Sequence, residues 1–302
     1  MNLRSLGWLA LLLVLLVPGI AGSETVPRGT LRPLLWKVGS KPPSFLYGTV
    51  HVPDRRVLAL PRSVVRALAE SDVVYTEVPM DDRTRVQMQR AAALPRGETL
   101  ATVLPPPVYE RTARYLKSRG FSIQLFYQQK IWALQVSLEM LDYLPQMAET
   151  QPLDMYLAER ARTSGKRMAA LETVDEQLAV LDGLTRAEQI EVLEESLELL
   201  EAAAQTGTSP ARQLVESYLR GDPEELRRVA LAMVDTSKPL NRRQLEALID
   251  QRNRVMADRI AEALRKTPDE SHFFAVGALH YPGEQGIVAL LQAKGLAVAR
   301  VE

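Results

Sequence analysis

An α/β fold with a central, largely parallel or mixed sheet is predicted by three features of this 302-residue chain. Apolar strand-like runs cluster near both ends, each end repeats a strand–helix–strand order, and a long helical stretch separates them. The expected architecture is one sheet assembled from an N-terminal and a C-terminal βαβ unit, with a helical insertion over about residues 107–266.

Leu34–Val38 and Phe45–Val52 read as two strands, and the Gly/Pro-rich stretch Gly39-Ser40-Lys41-Pro42-Pro43 between them predicts a hairpin. A helix follows over Pro61–Ala69, with Pro61 suited to its first turn. Val73–Val78 (VVYTEV) is a third strand, closed by Pro79. Strand, helix and strand at this spacing make a βαβ unit whose strands run parallel. In the helical middle, several starts carry capping signatures: Thr185 with Glu188, Asp222 before Pro223, and Thr267 before Pro268 with Glu270. A helix around Leu153–Arg162 ends at Gly165. Arg167–Leu171 then reads as a short strand leading to Glu172, and Thr173 with Glu176 opens the next helix. Glu188–Glu201, rich in Glu and Leu, predicts a solvated helix face with one apolar side. Phe273–Leu279, Ile287–Ala293 and Ala297–Val301 close the chain as strand, helix and strand.

The composition is 46% apolar and 25% charged, with 37 basic and 37 acidic residues. A balanced charge argues against nucleic acid or an anionic membrane as the main partner. Arg4, the apolar run Trp8–Val17, the Pro18-Gly19 break and the small residues Ala21, Gly22 and Ser23 have the layout of a secretory signal peptide. The expectation is a signal over residues 1–23 and one domain over 24–302, periplasmic or secreted. That run is shorter than the roughly 20 residues a bilayer core needs, so no stable membrane span is expected after cleavage. The chain has no cysteine. This excludes a lipoprotein anchor, a thiol nucleophile, Cys-ligated zinc and iron–sulfur chemistry.

Two of the three histidines share one local pattern. GTVHVP (Gly48–Pro53) and GALHYP (Gly277–Pro282) are each Gly-x-x-His-x-Pro at the C-terminal end of an expected strand. In one parallel sheet, His51, His280 and Glu77 would emerge along the edge where α/β proteins bind ligands. Two imidazoles and a carboxylate with open positions suit a divalent transition metal such as Mn, Co or Zn. Gly48 and Gly277 would let backbone or a bound group approach closely. Arg252 falls within an apolar stripe formed by Leu245, Leu248, Ile249, Met256, Ile260 and Ala263. A buried guanidinium needs a partner, either a carboxylate such as Glu77 or Glu172 or negative charge on a substrate. Arg259 leans toward the same stripe. His272 has no such motif and reads as an exposed loop residue, and Trp36, Trp132 and the tyrosines read as core.

Four stretches, LWKVGSKPPSFLYGTVHVPD, LPRSVVRALAESDVVYTEV, GKRMAALETVDEQ and FFAVGALHYPGEQGIVALLQAKGLAVARV, resemble the TraB/PrgY/GumN family. The resemblance runs from about Leu34 to Val301. It implies an α/β fold shared distantly with erythromycin-esterase-like and ChaN-like proteins, and a likeness to the Tiki metal-dependent proteases. By carry-over it implies His51, Glu77 and His280 as metal or catalytic residues, with Glu172, Arg252 and Asn253 as further site residues. Tyr281 stands where many relatives carry Leu, a difference expected to reshape the pocket rim. The expected activity is metal-dependent hydrolysis of a peptide or related acyl bond in a peptide or small secreted substrate. Two alternatives are a haem-, metal- or peptide-binding protein without turnover, and a metal-free esterase-like hydrolase.

Overall fold

The structure, a computed structural model, describes residues 32–39 and 42–302, so the expected signal segment lies outside the described residues. Among the described residues six strands form one mixed sheet: β1 (Leu35–Val38), β2 (Ser44–Thr49), β3 (Val73–Thr76), β4 (Arg167–Ala170), β5 (His272–Gly277) and β6 (Val298–Arg300). Their order is β4-β3-β5-β2-β1-β6. β2 and β3 each pair parallel with β5, β4 pairs parallel with β3, and β1 lies antiparallel to both β2 and β6. The expected α/β class and mixed sheet are therefore observed.

Both βαβ units have parallel strands, but neither places its strands side by side. The last long strand, β5, inserts between β2 and β3. β6 reaches the far edge through the hairpin strand β1. The reason lies in the residues. Every position of SFLYGT in β2 and of HFFAVG in β5 is buried, as expected of central strands covered on both faces. β4, by contrast, is exposed or half-buried along its length and takes the edge.

Six of the helices are α1 (Arg62–Glu70), α2 (Leu153–Thr163), α3 (Val174–Asp182), α4 (Arg186–Thr206), α5 (Arg252–Lys266) and α6 (Ile287–Ala293), of which α2, α3 and α5 carry residues of the site. Reciprocal capping boxes start α3 at Thr173/Glu176 and α4 at Thr185/Glu188, and Asp222 caps the helix that begins at Pro223. Thr267 does not start a helix. It ends α5, where its hydroxyl donates to Ala263 O and meets His272 Nε2 at 2.9 Å. The helix expected from about Asn241 is broken into Pro239–Leu245, a π-helical turn over Glu246–Gln251, and α5.

His272 is not an exposed loop residue. It opens β5 fully buried, with Nδ1 3.2 Å from Ser44 Oγ, so Ser44 and Thr267 replace water around the ring. Trp36, Trp132 and Tyr281 are buried; Tyr281 stacks on Trp36 with centroids 4.8 Å apart and donates its hydroxyl to Phe274 O. Tyr127 is an exception among the tyrosines and is exposed. No helix among the described residues is long and apolar enough to cross a membrane.

Candidate metal and catalytic site

Three adjacent parallel strands, β3, β5 and β2, end on the same edge of the sheet, and each delivers one residue of the site. His51 follows β2, Glu77 follows β3, and His280 sits in a single 3₁₀ turn after β5. The register pairs Thr49 with Gly277 and Tyr75 with Phe274, which brings the strand ends level. The β3–β4 ladder continues one step past the strands: Leu171 N donates to Thr76 O and Glu172 N to Glu77 O. That step sets the Glu77 and Glu172 side chains next to each other.

All of these groups are buried: His51, Glu77, Glu172, Arg252 and Asn253 expose at most 6% of their surface and His280 none. Arg252 lies between the two carboxylates. Its Nη2 donates to Glu77 Oε2 at 2.5 Å and to Glu172 Oε2 at 2.6 Å, while Nε donates to Glu172 Oε1 at 2.9 Å. Nη1 donates to Leu248 O and faces His280 Nε2, both at 3.3 Å. Every nitrogen of the guanidinium is thus engaged inside the protein. The buried-carboxylate partnership expected for Arg252 is the one observed. Arg259 instead reaches a half-buried position where it donates to Leu171 O and Glu176.

Charge follows from these contacts. Burial alone would raise the Glu77 carboxyl, but Arg252 and the two imidazoles outweigh it and hold it well below the usual carboxylate range. Burial would also lower His51. The nearby Asp154 and Glu77 carboxylates reverse that and hold its imidazole up at about 10. His280 moves the other way: burial, reinforced by the Arg252 charge, pushes it down to about 3, a neutral ring at ordinary pH.

Gly277 N donates to Glu77 Oε1 at 2.6 Å, so the motif glycine contributes a backbone donor to the carboxylate. Gly48 has a packing role. A Cβ there would come within 3.0 Å of Leu34 Cβ and 3.2 Å of the Ala278 Cα, so the strand needs the missing side chain to lie against its neighbours.

Two residues of the site were missed in the sequence. Asp154, in the first turn of α2, is 2% exposed, and its Oδ1 lies 3.0 Å from His51 Nδ1. Gln177 of α3 is 4% exposed and donates to Glu77 Oε2 at 3.1 Å and Glu172 Oε2 at 3.4 Å. The signal that exposed Arg252 was present for both: a polar residue within an apolar helix face, with Leu153, Leu157, Ala158 and Ala161 around Asp154, and Val174 and Leu181 around Gln177.

Whether these residues suit a metal depends on their free lone pairs. Asn253 Nδ2 donates to Gln285 O at 2.7 Å, which turns its Oδ1 to His280 Nδ1 at 2.6 Å. An amide oxygen only accepts, so this network assigns the proton to Nδ1 and leaves a lone pair on Nε2. That Nε2 lies 4.0 Å from Glu77 Oε1, and His51 Nε2 lies 3.6 Å from the same oxygen. Neither ring nitrogen of His51 has an aligned hydrogen bond among the described residues, the short Asp154 contact included. Ligands on a tetrahedral ion with bonds of about 2.1 Å sit roughly 3.4 Å apart. The three donors are spread somewhat wider, and among the described residues no three acidic or imidazole groups form a closed metal cluster. The donor chemistry and the orphaned His51 nitrogens nevertheless fit a divalent transition metal. Binding one requires Arg252 Nη1 to yield the His280 lone pair and the protonated His51 ring to release its Nε2 proton.

A nearby cleft of about 820 Å³ contains none of these charges. It opens on the other flank of the His280 turn, beside Trp36, Arg227, Asp250, Tyr281 and Gln285. A smaller apolar pocket of about 40 Å³ includes His51, and Leu279 borders both spaces. The buried charges and orphaned nitrogens make the strand-end cluster the candidate site, since volume alone supplies no reacting group.

A profile of the TraB/PrgY/gumN family matches residues 34–300. The chain is 27% identical to "Metalloprotease TIKI2" of Danio rerio, over 91% of this chain and 62% of that protein. It is 26% identical to "Metalloprotease TIKI1" of Homo sapiens, over 93% of this chain and 64% of that protein, so it spans less than two thirds of either one's length. It is also 23% identical to "Uncharacterized protein YbaP" of Shigella flexneri, over 82% of this chain and 88% of that one. No solved structure matches the chain. The family match takes in both Gly-x-x-His motifs and nearly all of the described residues, and the chain belongs to the TraB/PrgY/gumN family.

Proposed function

We propose that this chain is a metal-dependent hydrolase that cleaves a peptide or related acyl bond, with His51, His280 and Glu77 holding a divalent transition metal. The observation that carries this reading is the convergence of two imidazole Nε2 atoms on one ionised carboxylate oxygen, 3.6 and 4.0 Å away. The likeness to proteins named metalloproteases supports the same reading. A metal bound there supplies positive charge that polarises an acyl carbonyl and eases deprotonation of water.

The chain's own residues prepare that centre. Arg252 keeps Glu77 ionised at neutral pH and fixes the carboxylate through Oε2, with Gln177 on the same oxygen. Oε1 then faces both histidines, as a ligand or as the acceptor of a proton from attacking water. Glu172 balances the Arg252 charge through three contacts. Since every Arg252 nitrogen is engaged, its role is to hold Glu77 and not to bind a substrate oxyanion. Asn253 keeps the His280 lone pair on Nε2. Export to the periplasm or beyond remains part of the proposal, resting on the Trp8–Val17 run.

The complete burial of His280 favours a second reading, a closed site that binds a ligand without turning it over. The deciding measurement is metal content of the purified protein, wild type against a His51→Ala/His280→Ala double variant of verified fold. Near-stoichiometric transition metal in the wild type and none in the variant is expected, followed by chelator-sensitive cleavage in a peptide library. No metal in either protein after incubation with Mn, Co and Zn would overturn the hydrolase reading. Bound metal without cleavage would favour the closed binding site.

A further inference from the structure

Asp154 is the group for which the fold offers no ordinary explanation. It sits on the inward face of α2 among Leu153, Leu157, Ala158 and Ala161, 2% exposed. Neither of its carboxylate oxygens has an aligned hydrogen bond among the described residues. A carboxylate buried in that way costs several kcal/mol unless a partner compensates. The first turn of a helix lowers that cost in part, because the helix dipole favours negative charge there. The side chain is not used as a helix cap, however, and is directed at His51 Nδ1 at 3.0 Å.

That contact answers a question left by the site. His51 Nε2 faces Glu77 Oε1, and an imidazole has two ways to meet a carboxylate on one side. With the proton on Nε2 it donates to Glu77 and has no lone pair for a metal. With a proton on Nδ1, the Nε2 lone pair is available to a cation shared with Glu77. A second carboxylate behind the ring, at Nδ1, selects the second arrangement. Asn253 does the corresponding work for His280 with a neutral amide.

We infer that Asp154 is a positioning residue that keeps a proton on His51 Nδ1 and so directs the Nε2 lone pair toward Glu77 and the metal. The inference rests on the hydrolase reading for its purpose, but its structural content is independent of that reading. It gives the helical insertion a defined role: α2 supplies the back wall of the first Gly-x-x-His motif.

The test uses the untagged, metal-free full chain labelled with ¹⁵N. Its three histidines give three imidazole spin systems, read by long-range nitrogen–proton correlation. The spectra are recorded at a pH high enough to reach the neutral His51 ring, and in the wild type that ring is expected to hold its proton on Nδ1. In Asp154→Ala the neutral ring is expected to change to the Nε2–H form facing Glu77, with the His272 and His280 signals unmoved. Asp154→Asn retains an oxygen acceptor and is expected to restore the Nδ1 proton. A neutral wild-type ring with its proton on Nε2 instead of Nδ1, or an unchanged His51 in Asp154→Ala, overturns the inference; the wild-type result decides even if the alanine variant fails to fold.

Equilibrium dialysis with Zn or Co is the second arm. Asp154→Ala should weaken binding about 10–100-fold, with partial recovery in Asp154→Asn. If the wild type binds no metal yet the His51 ring changes form as expected, the hydrolase reading falls and the positioning role stands. If the wild type binds metal and Asp154→Ala leaves both His51 and affinity unchanged, the positioning role falls and the metal site stands.

Discussion

His51 and His280 leave adjacent parallel strands within the same Gly-x-x-His-x-Pro pattern, yet one backs onto a carboxylate and the other onto an amide and a guanidinium. The surroundings drive the two rings in opposite directions, His51 up to about 10 and His280 down to about 3. A shared motif therefore fixes where a side chain emerges but not its charge. Charge is decided by residues elsewhere in the chain: Asp154 for one histidine, Arg252 and Asn253 for the other.

The strongest way to break this asymmetry is to remove the cation on the His280 side. Arg252→Met leaves Glu77 and Glu172 buried with no guanidinium between them. The expected loss is about 3–5 kcal/mol of stability in urea titrations, the scale for a buried ion pair that loses one partner. Adding Glu172→Gln should recover part of that loss. Full stability in Arg252→Met would show that the two carboxylates do not need the charge.

A finer test follows the two histidines through pH in chelator-treated protein. The folded pKa of His51 is raised, so its contribution is complete below about 6.5 and is lost as pH rises through about 10. The stability advantage of the wild type over His51→Gln should therefore shrink between pH 6.5 and 10. The folded pKa of His280 is lowered, so its contribution is complete above about 6.5 and is lost as pH falls toward about 3. Its advantage over His280→Gln should shrink in the acid direction, each slope reaching at most about 1.4 kcal/mol per pH unit. Slopes of the same sign would show that the two rings share one environment.

The smallest effect belongs to the glycines. Gly48→Ala places a methyl group 3.0 Å from Leu34 Cβ, and overpacking of that kind costs about 1–3 kcal/mol. Thermal unfolding of the variant would read it. Metal content should be retained, because Gly48 packs strands and touches no donor atom.

Much of the frame was legible in the sequence because strand ends and caps are local. FFAVGAL, VVYTEV and the Thr173/Glu176 and Thr185/Glu188 boxes carry their own periodicity or spacing, and each occurs near where it was expected. The insertion of β5 between β2 and β3 was not legible, because strand order is fixed by which fully buried strands need cover on both faces. His272 was misread because its burial depends on Ser44 and Thr267, which no local pattern connects to it. At the site, the paired motif marked His51 and His280, and a charge in an apolar stripe marked Arg252. Asp154 carried that same stripe signal, but a helix-initial aspartate has an ordinary reading as a favourable first-turn charge. The Thr267–Glu270 spacing matched a capping box and failed because α5 was already ending there.

The position of β5 has a consequence for how the molecule comes into being. The strand that joins the Glu77 strand to the His51 strand comes after the whole helical insertion in the chain, and His280 follows it directly. Until that segment arrives, β2 and β3 have no neighbour linking them, and the loop to be closed spans most of the chain. Such distant pairing is slow and entropically costly. A chain made only as far as the end of the helical insertion carries His51 but not His280, so the two histidines come together only after the helices of that insertion have been made.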